Sequence, residues 1–138
     1  MITKAITNTL YTLFGDSVNT YTDSTVQGNK APCFFVREIN VNAKDYIDGR
    51  KGVTHTFDIT YLSDEDRMDG RNEDLYIIAN TLINEFEFLE YEGELYRAYD
   101  RKTEKVDNDL HFTFSVFETF REDKSDIPLM EKLEMKWK

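Results

Sequence analysis

Few residues of this sequence have the chemistry of a catalytic or metal site, and its two histidines are the first to consider. His55 and His111 each lie in a stretch with the alternating pattern of a β-strand. Two histidines on neighbouring strands can share a metal ion or a proton-transfer role when their side chains face the same way. His55 shares the register of the apolar residues in its stretch, whereas His111 shares the register of the polar ones. The pattern therefore predicts two unrelated histidines and no shared site.

The other residues that could act in catalysis or bind a ligand give weak signals as well. Cys33 is the single cysteine and begins an apolar run, where a thiol packs as a small hydrophobe. Asp107–Asp109 begins like a calcium loop but lacks the later glycine and glutamate, so it indicates a turn. Gly49–Gly52 is a basic glycine cluster without the strand-to-helix context of a phosphate loop. We therefore predict no catalytic residue, no cofactor and no metal ligand, and we do not expect an enzyme.

The composition narrows the class of protein further. The chain has 138 residues, which fits one domain with one core, and its ten Phe and eight Tyr favour a sheet. Twenty-seven acidic residues against 17 basic ones give a net charge of −10, which disfavours a reader of DNA or RNA phosphates. No apolar stretch approaches the roughly 20 residues that span a bilayer. The first residues lack the apolar core of a signal peptide. We expect a protein of the cytoplasm until assembly.

Helical and alternating patterns divide the chain into two helices and several strands. Apolar residues at helical spacing predict a helix from Ile2 to Phe14, stopped by Gly15. A second helix is predicted over residues 73–87, with Asn72 as its N-cap. Strands are predicted over residues 18–22, 33–41, 53–62, 94–106 and 110–120, with a short extended segment at 88–91. The last two strands should form an antiparallel hairpin.

This order of elements predicts an α+β fold. Sequential strands with short links favour an antiparallel or mixed β-sheet, and two helices can cover one face of it as a two-layer sandwich. We expect a single domain over residues 1–125 and a C-terminal extension over residues 126–138. The segment Asn42–Gly52 is too long for a tight hairpin turn. Either the flanking strands continue into it as an exposed arm, or it is a mobile loop.

Several segments in a fixed order carry a resemblance to a known family. They are Val26-Gln27-Gly28, Pro32-Cys33-Phe34-Phe35-Val36, Thr56-Phe57-Asp58-Ile59-Thr60-Tyr61, Asn80-Thr81-Leu82, Gly93-Glu94-Leu95-Tyr96-Arg97-Ala98, Asp109-Leu110-His111-Phe112 and Met130-Glu131-Lys132-Leu133-Glu134. With the N-terminal helix, they cover nearly the whole chain. In these segments the chain resembles the phage tail terminator family of phages and prophages of Gram-positive bacteria.

The resemblance implies a structural virion protein without catalytic residues. Such a protein caps the tail tube at its head-proximal end as a ring, commonly a hexamer. The ring ends tail polymerisation and joins the tail to the neck. Its partners would be other copies of itself, tail tube protein, and sheath or neck and connector protein. DNA would pass only as cargo, and no membrane is involved. The protein would be assembled in the host bacterial cytoplasm and reside in the virion tail.

Two segments are candidates for contacts between subunits, because a closed ring needs a contact that repeats by rotation. One is the arm, and the other is the end of the C-terminal extension, whose strand-like alternation could add a strand to a neighbouring sheet. The predicted inter-subunit contact residues are Lys44, Tyr46, Arg50 and Lys51 in the arm and Leu133, Met135 and Trp137 in the extension.

Three alternatives remain open from the sequence. The chain could be a neck or head-to-tail completion protein, one layer nearer the capsid. It could be the collar of a phage-tail-like bacteriocin, contractile or not. From a different class, it could be a ligand-binding or enzymatic domain with an aromatic pocket. The last alternative loses its support if Phe57, Phe112 and Phe114 pack tightly against the second helix.

Overall fold

A computed structural model of the chain describes residues 2–22, 31–64 and 68–121. Helix α1 spans Ile2–Phe14 and is followed by a short 3₁₀ turn, Gly15–Ser17. Three strands follow, β1 (Asn19–Tyr21), β2 (Cys33–Asp45) and β3 (Arg50–Leu62). Helix α2 spans Met68–Glu85, and the last strands are β4 (Phe88–Tyr91), β5 (Glu94–Val106) and β6 (Asp109–Arg121).

The six strands form one mixed sheet in the order β1-β2-β3-β6-β5-β4. β1 pairs parallel with β2, and every other neighbouring pair is antiparallel. The two helices pack against this curled sheet, so the predicted α+β class is confirmed. The hairpin predicted for the last two strands is also confirmed, from Ala98↔Val116 to Val106↔Asp109.

The hydrophobic core lies between the helices and one face of the sheet. Val53, Phe57, Ile59 and Tyr61 of β3 are buried on that face, as their alternation predicts. From β6 the core receives Phe112, Phe114 and Val116, and α1 and α2 bury their apolar stripes against these residues. Burial of several large side chains, each worth about 1.5–3 kcal/mol, holds the two layers together.

The start of the second helix differs from the sequence prediction. α2 begins at Met68, so Asn72 lies inside the helix and is not its N-cap. Its side-chain oxygen instead accepts a hydrogen bond from Lys105 Nζ on β5. Between Met68 and Leu75 the sequence of the helix has no large apolar residue, so periodicity could not reveal where the helix begins. Asp69 still suits the positive end of the helix dipole.

β5 changes partner along its length, which the sequence did not predict. Its first four residues pair with β4, from Phe88↔Arg97 to Tyr91↔Glu94. From Ala98 onward it pairs with β6, with a register shift between Tyr99 and Lys102. Asp100 lies at this shift with a positive φ of 53°. The bend lets the β4–β5 hairpin turn away from β6 and pack against α1.

A buried tyrosine ties α2 to the sheet and should make stability sensitive to alkali. Tyr61 Oη donates to Asp74 Oδ2 at 2.7 Å, and Ser63 Oγ donates to the same oxygen. Burial, followed by the hydrogen bond and the charge of Asp74, raises the pKa of Tyr61 well above its ordinary value of 10.0. The folded state therefore holds this proton when the unfolded state loses it, and the stabilisation present below about pH 10 is lost as the pH rises further.

We expect Tyr61→Phe to cost about 1–2 kcal/mol of unfolding free energy at pH 7, because it removes one buried hydrogen bond. The same variant should lose stability less steeply than the wild type between about pH 10 and 11. Urea unfolding across this pH range measures both effects. Tyr76→Phe is the control, since Tyr76 is exposed on the same helix. An identical alkaline slope for the wild type and Tyr61→Phe would contradict the assignment.

Candidate functional site

The most distinctive surface of the molecule is an arm formed where three strands run on beyond the core. We use "the arm" for residues 37–56 of the β2–β3 hairpin together with Phe117–Arg121 of β6. The pairs Asp45↔Lys51 and Arg50↔Arg121 lie at its tip. All nine residues of β2 from Arg37 to Asp45 are exposed. The segment predicted as either an arm or a mobile loop is therefore an arm, with a turn at residues 46–49.

The tip of the arm is built around Tyr46. Tyr46 N donates to the carbonyl of Arg50 at 2.9 Å, and Gly49 N donates to the carbonyl of Tyr46, which closes the turn. Gly49 has a φ of 86°, a conformation that favours glycine. Lys44 Nζ and the Arg50 guanidinium lie 5.6 and 5.3 Å from the Tyr46 ring centroid. Such cation–π contacts hold the basic groups close to the ring.

The four predicted contact residues of the arm do not all lie together. Lys44, Tyr46 and Arg50 form one cluster around the tyrosine ring, as described above. Lys51 alternates with Arg50 and opposes Phe120 of β6, so it lies on the other face of the arm. Arg50 Nε also donates to Asp48 Oδ2 at 2.7 Å. Desolvation acts to raise the pKa of Asp48, but the hydrogen bonds from Arg50 and the charges of Arg50 and Arg121 together outweigh it and lower that pKa. The tip thus presents basic groups on both faces.

Gly52 is required by two aromatic rings that lie over the arm. A Cβ at this position would lie 2.8 Å from Phe117 Cζ and 3.0 Å from Tyr46 Cε2. Both rings would have to move outward to make room. The close approach explains a glycine inside a strand, where it otherwise weakens pairing.

We expect Gly52→Ala to cost about 1–2 kcal/mol of unfolding free energy, because it overpacks the contact with Phe117. In the double variant with Phe117→Ala the closest clash is absent and only the 3.0 Å approach to Tyr46 remains, so the cost of Gly52→Ala should shrink to less than about 1 kcal/mol. Chemical denaturation of the four proteins of this cycle measures the coupling. Simple additivity of the two substitutions would contradict the packing described here.

The arm carries five of the eleven large apolar residues that are exposed in the described part of the chain. Five are exposed there: Ile39, Val41, Ile47, Phe117 and Phe120. Ile47 is fully exposed at the tip, and the other four lie along the arm's two outer strands. A group of large exposed apolar residues on one projection is typical of a protein–protein contact surface.

A charged network lies at the base of the arm on the helix-facing side of the sheet. His55 Nδ1 lies 2.9 Å from Glu38 Oε2, and His55 Nε2 lies 3.0 Å from Glu118 Oε1. These three residues belong to β2, β3 and β6, so the network joins all three strands of the arm. An ionised carboxylate only accepts hydrogen bonds, so both contacts form together when the ring carries both protons. The network holds the strands in register where the core ends.

His111 lies on the opposite face of the sheet, so the prediction of two unrelated histidines is confirmed. Its Nδ1 is 3.3 Å from the carboxylate of Asp58, the single buried charged residue among those the structure describes. Asp58 also accepts from Arg37 at 3.2 Å and from Thr60 at 2.9 Å. These partners compensate a carboxylate that burial alone would destabilise. The cluster has the geometry of a structural ion pair.

The hypothesis of an aromatic ligand pocket is not supported by the packing. Phe86, which directly follows α2, lies 5.4 Å from Phe112 and 5.1 Å from Phe114, edge to face, and Phe57 stacks on Phe114 at 5.6 Å. The largest exposed fraction among Phe57, Phe112, Phe114, Leu82 and Phe86 is 2%. Side chains without accessible surface do not line a site that a ligand can enter.

Other groups that could do chemistry are placed as structural residues. Cys33 is buried, and this burial raises the pKa of its thiol, which disfavours the reactive thiolate. In the described ranges, no group of three or more His, Cys, Asp or Glu residues is arranged to hold a metal ion. The predicted contact residues Leu133, Met135 and Trp137 lie outside the residues that the structure describes.

Comparison with known proteins assigns the chain to a family. A family model described as "Phage tail terminator protein" matches residues 1–127. The chain belongs to the phage tail terminator family. A search among curated proteins gave no match at the threshold applied. As a tail terminator, the protein is a component of the virion tail and interacts with other tail components. Its family is structural and is not known for enzymatic activity.

The helices of this tail terminator can be compared with membrane-spanning helices by their length and hydropathy. Neither α1 nor α2, the two helices in the described residues, is long and apolar enough to cross a membrane.

Sequence reasoning missed two features of the arm of this tail terminator. The Glu38–His55–Glu118 network depends on the register of three strands, which the residue pattern does not specify. The exposed Phe117 and Phe120 carried a usable signal. Phe117 stands in the polar register of β6, and an aromatic residue there indicates a surface that something else covers.

Proposed function

We propose that this protein forms a ring at the head-proximal end of the tail tube, where it ends tail polymerisation and joins the tail to the neck. Membership of the tail terminator family carries the proposal. Its partners would be further copies of itself, tail tube protein on one side, and sheath or neck and connector protein on the other. A hexameric ring is the expected form.

Contacts between copies are the first requirement of such a ring. A ring closed by rotation uses two different surfaces of each subunit, one of which meets the other on the next copy. The arm offers exposed apolar side chains away from the core, together with the exposed Lys44 and Arg50 and the partly buried Tyr46 and Lys51. We assign these residues to subunit contacts. We further propose residues 126–138, with Leu133, Met135 and Trp137, as an extension beyond the 1–125 domain that reaches a neighbour.

The net charge of −10 fits a protein beside a DNA conduit. Like charges repel, so an acidic ring would let DNA phosphates pass without binding them. DNA is therefore proposed as passing cargo. The particle would be assembled in the cytoplasm of the host bacterium.

Position in the particle tests the proposed function. We would image tails carrying the protein fused to a small visible domain by cryo-electron microscopy. The expected result is a ring of density at the head-proximal end of the tube. Density one layer nearer the capsid would instead identify a neck completion protein. Density at the collar of a headless, tail-like particle would identify a bacteriocin part, and density along the tube or at the baseplate would contradict the proposal.

We expect removal of residues 128–138 to weaken ring assembly while the domain stays folded. The reason is that the removed residues lie beyond β6 and beyond the end of the family match. Native mass spectrometry would compare the oligomers of the full and truncated chains, and thermal unfolding would serve as the control for folding. A truncated chain that forms rings at the same concentration as the full chain would show that the extension is dispensable.

A further inference from the structure

The arm has two free backbone edges, one on each side. β1 pairs with β2 only at Cys33–Phe35, so within the described residues the edge of β2 is unpaired from Val36 to Asp45. β5 pairs with β6 only up to Val116, so the β6 edge is likewise unpaired in this region from Phe117 to Arg121. Unpaired strand edges present N–H and carbonyl groups that can bind another strand.

The two free edges run in the same direction. β2 and β6 are both antiparallel to β3, and both run from the core towards the arm tip. The two edges also occupy the same position along the arm, since Asn42 of β2 and Phe117 of β6 both pair with Thr54 of β3. Copies related by rotation about an axis along the arm keep all arms pointing one way. In such a ring, the β2 edge of one copy meets the β6 edge of the next as a parallel pair.

Apolar side chains flank both free edges. Ile39 and Val41 stand on β2, and Phe117 and Phe120 stand on β6, with each of the four about half exposed. Phe117 and Phe120 lie on opposite faces of β6, because their positions differ by an odd number. Pairing of β2 with β6 would therefore cover apolar surface on both sides of the joined sheet. Neither edge carries a proline, one of the features that guard such strands. The bulge of β2 lies between Glu38 and Asn40, so the edge from Val41 to Asp45 is regular.

We propose that the partner of each free edge is a second copy of this chain, so that the arms of neighbouring copies join through β2 and β6 into one continuous cylinder of strands. This inference rests on the proposed ring and specifies how its subunits join. Each arm supplies three strands. A ring of six copies would therefore close a cylinder of about eighteen strands, a number at which protein barrels enclose an aqueous channel.

The geometry also separates this arrangement from a two-fold dimer. Copies related by a two-fold axis across the arm would pair β2 with β2, or β6 with β6, in antiparallel fashion. The contact would then be complete after two copies, and no ring would form. Either edge could instead pair with a strand from the chain's own C-terminal residues or from another tail protein.

Cysteine cross-linking of the full chain tests the pairing. Asn40, Asn42 and Lys44 on β2 and Thr119 on β6 are all exposed on the same face of the arm, and the buried Cys33 remains unchanged. We would mix chains carrying Thr119→Cys with chains of a different mass carrying Asn40→Cys, Asn42→Cys or Lys44→Cys, and oxidise them. At least one mixture should give a cross-linked heterodimer about a hundredfold faster than either chain alone, because an assembled neighbour presents its thiol at millimolar effective concentration.

A chain carrying both cysteines at the best pair should then give a ladder of covalent oligomers that ends at the ring number. A dimer formed by Asn42→Cys or Thr119→Cys alone would overturn the proposal in favour of two-fold pairing. Absence of heterodimer in every mixture would overturn it in favour of another occupant. If microscopy places the protein in a ring at the tail end without these cross-links, the inference fails and the proposed function stands. If microscopy places the protein elsewhere, the proposed function fails whatever the cross-links show.

Discussion

A chain without the outer part of its arm, residues 43–53, is expected to fold but to leave tails uncapped. The variant replaces residues 43–53 with Asn-Gly, a two-residue turn that joins Asn42 to Thr54, which pair directly in β2 and β3. Most of the removed side chains are exposed, and Val53 is the buried apolar side chain lost. The expected loss of unfolding free energy is therefore about 2 kcal/mol. Assembly should be abolished, because the tip cluster and residues 43–45 of the free β2 edge disappear together, and residues 118–121 of β6 lose the strand with which they pair.

Two measurements check the arm prediction. Native mass spectrometry should find only monomer at concentrations where the wild type forms rings. Electron microscopy of tails assembled with the variant should show tubes without a defined length. Val106→Ser is the control, because Val106 is an exposed apolar residue beside the turn at the opposite end of β6. Tails of normal length with the shortened chain would show that the arm has no part in termination.

Phe86→Ala is expected to be the most destabilising single substitution considered. Phe86 has no exposed surface and makes edge-to-face contacts with Phe112 and Phe114. Truncation leaves a cavity between the layers, and such changes cost about 3–5 kcal/mol. Since small domains are stable by about 5–15 kcal/mol, the variant should be close to unfolding at 37 °C. Thermal unfolding with a far-ultraviolet dichroism signal measures the loss.

The matched control for Phe86 lies two residues along the chain. Phe88 begins β4 and is 55% exposed. Phe88→Ala should change the unfolding free energy by no more than about 0.5 kcal/mol, because an exposed ring leaves no cavity when removed. Equal effects of the two substitutions would mean that Phe86 is not part of the core as described.

Local sequence patterns predicted the helices and strands that bury one face and expose the other. α1 was predicted with its observed bounds, because its apolar residues recur at helical spacing and a glycine with positive φ follows it. The β5–β6 hairpin was predicted because alternation and turn residues agree on both sides of Asp107. The start of α2 was not, because residues 69–74 include no large apolar residue and so show no helical periodicity.

The candidate site was predicted less completely, for a different physical reason. From the sequence, residues 42–52 could form either an arm or a mobile loop. Exposed strands bury neither face, so apolar and polar residues alternate little along them. Lys44, Tyr46, Arg50 and Lys51 stay predicted as inter-subunit contact residues. The structure brings the first three together around the Tyr46 ring and places Lys51 on the other face of the arm. The network of His55 with two glutamates depends on which residues pair between strands that are far apart in the chain. The residue pattern of a single sequence does not reveal that pairing.

The central strand of the arm also determines how the molecule carries mechanical load. β3 is hydrogen-bonded to β2 on one side and to β6 on the other, from Arg50 at the tip to Tyr61 beneath the helices. A pull on the tip along the strand direction must shear both ladders at once, because every bond shares the force. A pull across the sheet would instead open the bonds one after another. The arm therefore resists a force along its strands more strongly than a force across the sheet.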